Sequence, residues 1–118
     1  MNSIQVSKRI YQPFNFKKFS IHQHNAAMKI GTDGILIGAW VNVSKKLRAL
    51  DIGSGTGIIS IMLCQRNLNL ELDSVEISPS AIIDAKINIK NCNWSERIKL
   101  YHQNLKDFHP NSNYDLIV

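Results

Sequence analysis

The sequence predicts an α/β domain whose strands form a parallel, doubly wound sheet. Two observations carry that prediction. Short apolar stretches near residues 47–52, 70–77, 97–103 and 114–118 alternate with helical ones. Strands separated by helices pair in parallel, because each helix returns the chain to the same end of the sheet. In addition, the three glycines of DIGSGTG (residues 51–57) follow the first of these strands and precede a helix, which is where a doubly wound sheet places its ligand turn. The 118 residues allow one domain at most, able to bury roughly two thirds of its unfolded surface.

Each element has a local reason. In FNFKKFSI (14–21), Phe14/Phe16 and Phe19/Ile21 are two alternating pairs on either side of Lys17 and Lys18, the pattern of extended chain or a small hairpin. GTDGILIGAWV follows, with Thr32 or Asp33 placed to cap a helix beginning near Gly34. LRALDI is an apolar run of strand length, and IISIMLCQR (58–66) is a helix with apolar residues on most faces. LELDSVEI alternates and then turns apolar, giving a second strand at about 70–77. Ser78 is a favourable N-cap and Pro79 suits the first helical position, so a helix runs to about Asn91. RIKLYHQ reads as a third strand and YDLIV as the start of a fourth. The chain thus divides into a leader with a capping helix (1–46) and the first half of a sheet domain (47–118), incomplete at its C-terminal end.

Composition narrows the compartment and the partners. No run reaches transmembrane length, and MNSIQVSKRIYQPF lacks the continuous apolar core of a signal peptide, so the cytoplasm is expected and a membrane is not. Cys64 and Cys92 belong to no CxxC pair and have no metal-like His spacing around them, which predicts buried, reduced thiols. His22 and His24 share a strand face but no third ligand is near, so no metal is expected. Trp40 and Trp94 read as packing residues. The net charge of +5 is uneven. Residues 1–50 carry eight Lys or Arg against Asp33 alone, a balance of +7, whereas residues 51–118 carry six basic and eight acidic residues, a balance of −2. The basic part also holds Tyr11, Phe14, Phe16 and Phe19. Lysines mixed with aromatics suit a nucleic-acid surface, where ammonium groups neutralise phosphates and rings stack on unpaired bases. The same residues also suit an ordinary core edge with solvated lysines.

A glycine turn tolerates positive φ without a Cβ penalty and lets a ligand approach the main chain. Spacing decides which ligand. A dinucleotide site has GxGxxG; here the pattern is GxGxG, formed by Gly53, Gly55 and Gly57, with Asp51 two residues ahead and Ile58 and Ile59 where the other class needs glycine. That argues against a pyrophosphate and leaves another nucleotide-type ligand or a structural turn. Glu76, at the end of the second strand and 19 residues after Gly57, is placed to accept both hydroxyl protons of a ribose; the alternative is a solvated strand-end charge. Gln103, Asn104 and Asp107 follow at the same sheet edge. The Asn104 amide suits pairing with a nucleobase or capping of its own loop.

DxGxGxG at the end of a first strand resembles the motif of class I S-adenosylmethionine-dependent methyltransferases, whose fold is Rossmann-like. The leader narrows the resemblance. FNFKKFSIHQHNAAMKIGTDGILIGAW is similar to the opening of the bacterial tRNA1(Val) adenine N6-methyltransferase family, in which an aromatic and lysine stretch runs into an MKVGTDG...LLGAW segment. The likeness continues through LDIGSGTGIISIMLCQR and VEISPSAIIDAKINIKNCNW to YDLIV, nearly the whole chain. It implies S-adenosylmethionine as cofactor, held by Asp51, Gly53, Ser54, Gly55, Thr56 and Gly57, with Glu76 on the ribose and Asn104 at the adenine. Thr32 and Asp33 are implied to lie over the cofactor, with helix capping as their alternative role. The implied reaction is methylation of N6 of the adenine adjacent to the anticodon of a valine tRNA, and Phe16, Lys17 and Lys18 become candidate tRNA contacts.

The same resemblance defines what is expected elsewhere. Adenine's exocyclic amine is a poor nucleophile, because its lone pair is delocalised into the ring. Enzymes of this kind use an NPPY-type segment after the fourth strand, where an Asn side chain and a Pro carbonyl accept the amine protons of a flipped base. The prolines of this chain are Pro13, Pro79 and Pro110, and none follows an Asn, so no catalytic residue is assigned within residues 1–118. Rival expectations are a related methyltransferase acting on ribosomal RNA or protein glutamine, and a truncated, non-catalytic module binding cofactor or RNA. A full-length form is expected to be a monomer. A fragment ending at the fourth strand is expected to self-associate through that strand's unpaired edge.

Overall fold

The computed structural model describes residues 14–15, 18–23 and 32–118. In chain order its elements are β1 (Phe14–Asn15), β2 (Ser20–Ile21), α1 (Thr32–Trp40), β3 (Arg48–Ile52), α2 (Ile58–Arg66), β4 (Glu71–Glu76), α3 (Pro79–Asn91), β5 (Ile98–His102) and β6 (Leu116–Ile117), with short 3-10 turns at Ser95–Arg97 and Leu105–Asp107. β1 and β2 pair antiparallel, Phe14 opposite Ile21, which is the small hairpin predicted for FNFKKFSI. The other four strands form one parallel sheet in the order β5-β4-β3-β6, as the strand–helix alternation predicts.

β3 is central, and Ala49, Leu50 and Asp51 are buried, as expected of a strand covered on both faces. β4 is buried from Leu72 to Glu76 despite three polar residues, because each has a partner. Asp73 accepts from Arg48 Nη2 at 3.0 Å and from the Tyr114 hydroxyl at 2.5 Å, and the Arg48 guanidinium lies 5.1 Å over the Tyr114 ring. Asp115 accepts the backbone N–H groups of Leu47 and Arg48 at 2.9 and 3.0 Å. Together these contacts fasten the approach of β6 to β3, where Ala49 pairs with Leu116 and Leu50 with Ile117. β6 forms the sheet edge and leaves Ile117 60% exposed.

α2 is apolar on most faces because it touches both the sheet and α1, burying Ile58, Ile61, Met62, Leu63 and Cys64. α1 reaches it through Gly38, where a Cβ would come within 2.5 Å of Met62 Sδ. Glycine permits that approach with the Met62 side chain left in place. α1 starts at Thr32, two residues before the expected Gly34, within the ordinary latitude of helix ends. Trp40 corrects an expectation: it does not pack but is 84% exposed. Gly38 faces α2, and a residue two positions further lies roughly 200° around the helix. Trp94 does pack, its indole N–H donating to the Ile61 carbonyl at 3.0 Å and its ring meeting Phe19 edge-on.

The far end of α2 is closed by Arg97, whose guanidinium donates to the carbonyls of Cys64, Asn67 and Leu70 at 2.7, 2.9 and 2.9 Å. A planar fork suits backbone acceptors that a helix terminus leaves bare. α3 starts as predicted, with Pro79 first and Ser78 Oγ accepting the Ala81 N–H at 3.3 Å. Ile21 of the leader is fully buried in the same core as α2 and the sheet. Both cysteines are free and buried. Among the described residues no helix is long and apolar enough to cross a membrane, and no group of His, Cys, Asp and Glu could hold a metal ion. His24 lies outside the described residues.

Candidate functional site

β3 has β4 on one side and β6 on the other, so the connections diverge from it. Such a switch point opens a crevice beyond the carboxyl ends of the strands. The residues that leave β3, β4 and β5 meet there: the glycine turn, Glu76 with Ile77, and Gln103 with Asn104.

Gly53, Gly55 and Gly57 adopt φ of +72°, +56° and +86°, a region that strains any side chain. At Gly53 and Gly55 an added Cβ would meet no atom within 4 Å. Glycine there serves the backbone conformation and keeps one face of the turn open. The turn is stitched down from below: the N–H groups of Gly53 and Ser54 donate to the Val75 carbonyl at 2.8 and 3.3 Å, and Gly57 N–H donates to the Ser54 carbonyl at 2.8 Å. Ser54 is buried, yet its hydroxyl has no hydrogen-bond partner. Thr56 is buried, and its carbonyl accepts from Asn88 Nδ2 at 2.8 Å.

Glu76 is 8% exposed and is no solvated strand-end charge. Its Oε1 accepts the Gly55 N–H at 2.7 Å and its Oε2 the Ser78 N–H at 2.9 Å. An ionised carboxylate offers about four acceptor positions, so both oxygens retain capacity for ligand hydroxyls. Asp51 plays a different part. At 2% exposure it lies inside the fold, accepting the Ser60 hydroxyl at 2.7 Å, and Ser60 Oγ is 3.2 Å from Ser74 Oγ. Burial is the chief reason its pKa rises to about 6; hydrogen bonds from Ser60 pull it down and the Glu76 charge adds to the rise. Gly57, the N-cap of α2, has no side chain to cap the helix. Asp51 instead supplies an acceptor and a negative charge at that helix start.

Beside the turn is a cleft of about 200 Å³ lined by Ile52, Gly53, Val75, Ile77, Gln103, Asn104 and Leu105. Apolar walls with two amides among them suit a flat heteroaromatic ring, which packs by its faces and hydrogen-bonds by its edge. Asn104 caps its loop through Oδ1, which accepts the Lys106 N–H at 3.0 Å. Its NH2 group is what remains for a base. Asp107 is exposed. Thr32 and Asp33 form the first turn of α1. Lys18 is exposed, whereas Phe16 and Lys17 lie outside the described residues. Asn88 belongs to no motif, although it lies beneath the turn. Its one signal in the sequence is a polar pair, Asp84 and Asn88, spaced four apart among Ala81, Ile82, Ala85 and Ile89 on the buried face of α3.

The methyltransferase small domain family matches residues 24–118. A tRNA1(Val) (adenine(37)-N6)-methyltransferase of Flavobacterium psychrophilum is 45% identical over 108 residues, covering 89% of this chain and 46% of that protein. One from Pasteurella multocida is 44% identical with the same coverage. The chain spans about half the length of the curated relatives it matches. Among solved structures, the O-methyltransferase of StiE superposes with a TM-score of 0.62 at 25% identity, over 72% of this chain and 30% of that one. The O-methyltransferase of a Brevibacillus brevis polyketide multienzyme, solved with S-adenosyl-L-homocysteine, gives 0.61 at 20% identity over 72% and 28%, a likeness of fold.

Proposed function

This chain belongs to the methyltransferase small domain family, and from that premise we propose that it forms the S-adenosylmethionine-binding half of an enzyme that methylates N6 of the adenine beside the anticodon of a valine tRNA. The observation that carries the reading is the turn itself: an open glycine face next to an unpartnered, buried Ser54 hydroxyl and a buried Glu76 carboxylate with acceptor capacity to spare. These are the groups that an amino acid joined to a ribose needs. The names of the relatives support the substrate, and the cytoplasm is where such a substrate is found.

When bound, the cofactor supplies an electrophilic methyl group on a sulfonium. The residues of this chain bind and orient it. The main chain at Gly53, Gly55 and Gly57, with Ser54 and Thr56 between them, receives the amino acid and ribose parts. Glu76 holds the ribose hydroxyls by charge-assisted hydrogen bonds. The cleft at Asn104 takes the adenine. Thr32 and Asp33, at the start of α1, would cover the cofactor, and Asp51 holds the turn against α2 from inside. Phe16, Lys17 and Lys18 contact the tRNA, the lysines by neutralising phosphates and the ring by stacking.

Nucleoside mass spectrometry of valine tRNA tests this reading. Deleting the gene should remove N6-methyladenosine from the position beside the anticodon, the intact gene should restore it, and the gene carrying Glu76→Ala should restore little. An unchanged N6-methyladenosine level in the deletion strain would overturn the proposed activity.

A further inference from the structure

Asn88 joins three separate parts of the fold through one amide. It is 2% exposed on α3. Its Nδ2 donates to the Thr56 carbonyl of the glycine turn at 2.8 Å and to the His22 carbonyl of the leader at 2.7 Å. Its Oδ1 accepts the backbone N–H of His22. One turn earlier on the same helix, the fully buried Asp84 meets the His22 imidazole, with Oδ1 3.3 Å from Nε2. Ile21, the preceding leader residue, is sealed in the core.

The chemistry of the amide makes the arrangement specific. A carboxamide has two N–H donors, and here one is committed to each backbone carbonyl. Its oxygen completes a pair of bonds with His22 like that between neighbouring strands. The peptide after Thr56 is also fixed from its other end, since Gly57 N–H donates to the Ser54 carbonyl. A tilt of that peptide on ligand binding would move the Thr56 carbonyl against Asn88, and Asn88 would pass the movement to His22.

We propose that Asn88 is a positioning residue that couples occupancy of the glycine turn to placement of the leader, so that cofactor and RNA bind cooperatively. The proposal rests on the reading of the turn as the cofactor site and of the leader as an RNA contact. It adds that the two sites bias one another, by the same factor in each direction.

Two measurements on the intact protein test it, with S-adenosylhomocysteine as the probe of the turn and a valine tRNA transcript as the probe of the leader. First, saturating S-adenosylhomocysteine should tighten tRNA binding about five- to tenfold in the parent, within the usual range of coupling between sites. In Asn88→Ala each ligand should still bind, but that factor should fall to about one, whereas a residue serving stability alone would leave the factor intact. Second, and needing no variant, hydrogen exchange of the His22 amide in the parent should slow severalfold when the turn is saturated. If S-adenosylhomocysteine binds at the turn while the tRNA affinity and the His22 exchange rate both stay as they were, the coupling is overturned and the cofactor reading stands. If it does not bind at all, both fall together.

Discussion

Glu76 accepts the backbone N–H of Gly55 at 2.7 Å, so one carboxylate shapes the glycine turn and, in the proposed function, also holds the ligand of that turn. Its second oxygen, on Ser78 N–H, ties the same side chain to the start of α3. Glu76→Ala should therefore weaken S-adenosylmethionine binding by about 1–3 kcal/mol, the scale of lost charge-assisted hydrogen bonds. Glu76→Gln, which keeps one acceptor oxygen, should fall between the alanine variant and the parent. Titration calorimetry of the three proteins measures this; equal affinities would separate the carboxylate from the cofactor.

Asp51 gives the protein a pH dependence of definite sign. Its pKa is about 6 in the fold against 3.8 ordinarily, so the folded state holds more protons between those values. This group costs stability progressively as pH rises through that window, and the cost is complete above it. Asp51→Asn lacks the titration. The unfolding free energy of the variant relative to the parent should rise by about 2 kcal/mol between pH 4 and pH 7. Denaturant unfolding at several pH values checks it, and a flat difference would mean that Asp51 ionises as an ordinary surface acid.

Both thiols should be inert in the native state. Burial pushes the Cys64 thiol up to about 12 and raises that of Cys92, and the thiolate is the reactive form. A chromogenic disulfide at pH 8 should label neither cysteine until denaturant is added, and then both. Rapid labelling of the folded protein would contradict the burial of Cys64 on α2 or of Cys92 at the end of α3, according to which thiol reacts.

Neutralising Lys17 and Lys18 together should weaken tRNA binding and reduce the slope of log affinity against log salt by about one to two. Cofactor affinity should stay nearly fixed. An unchanged salt slope would place both lysines away from the RNA.

The elements of the fold were legible because local signals agreed with tertiary ones. LRALDI reads as a buried strand and becomes β3; Ser78 and Pro79 read as a helix start and become one. The glycine turn was legible for a similar reason, since positive φ and an open face have one common side-chain solution. Long-range polar contacts were not legible. Nothing near Asp51 in sequence announces that Ser60 will take its carboxylate inward, and nothing near Asn88 announces a leader residue 66 positions away. Trp40 misled because a large apolar residue reads as core wherever it stands, while the face of α1 that packs is chosen by the smallness of Gly38.

Whether the glycine turn is the cofactor site can be read from the amide NMR spectrum of the isotopically labelled protein titrated with S-adenosylhomocysteine. Saturable shifts are expected at the backbone amides of Gly53, Gly55 and Gly57 and at the side-chain amide of Asn104, with the far end of α2 around Arg97 unmoved. Saturable binding that leaves the three glycine amides in place, or no binding at all, would contradict that reading.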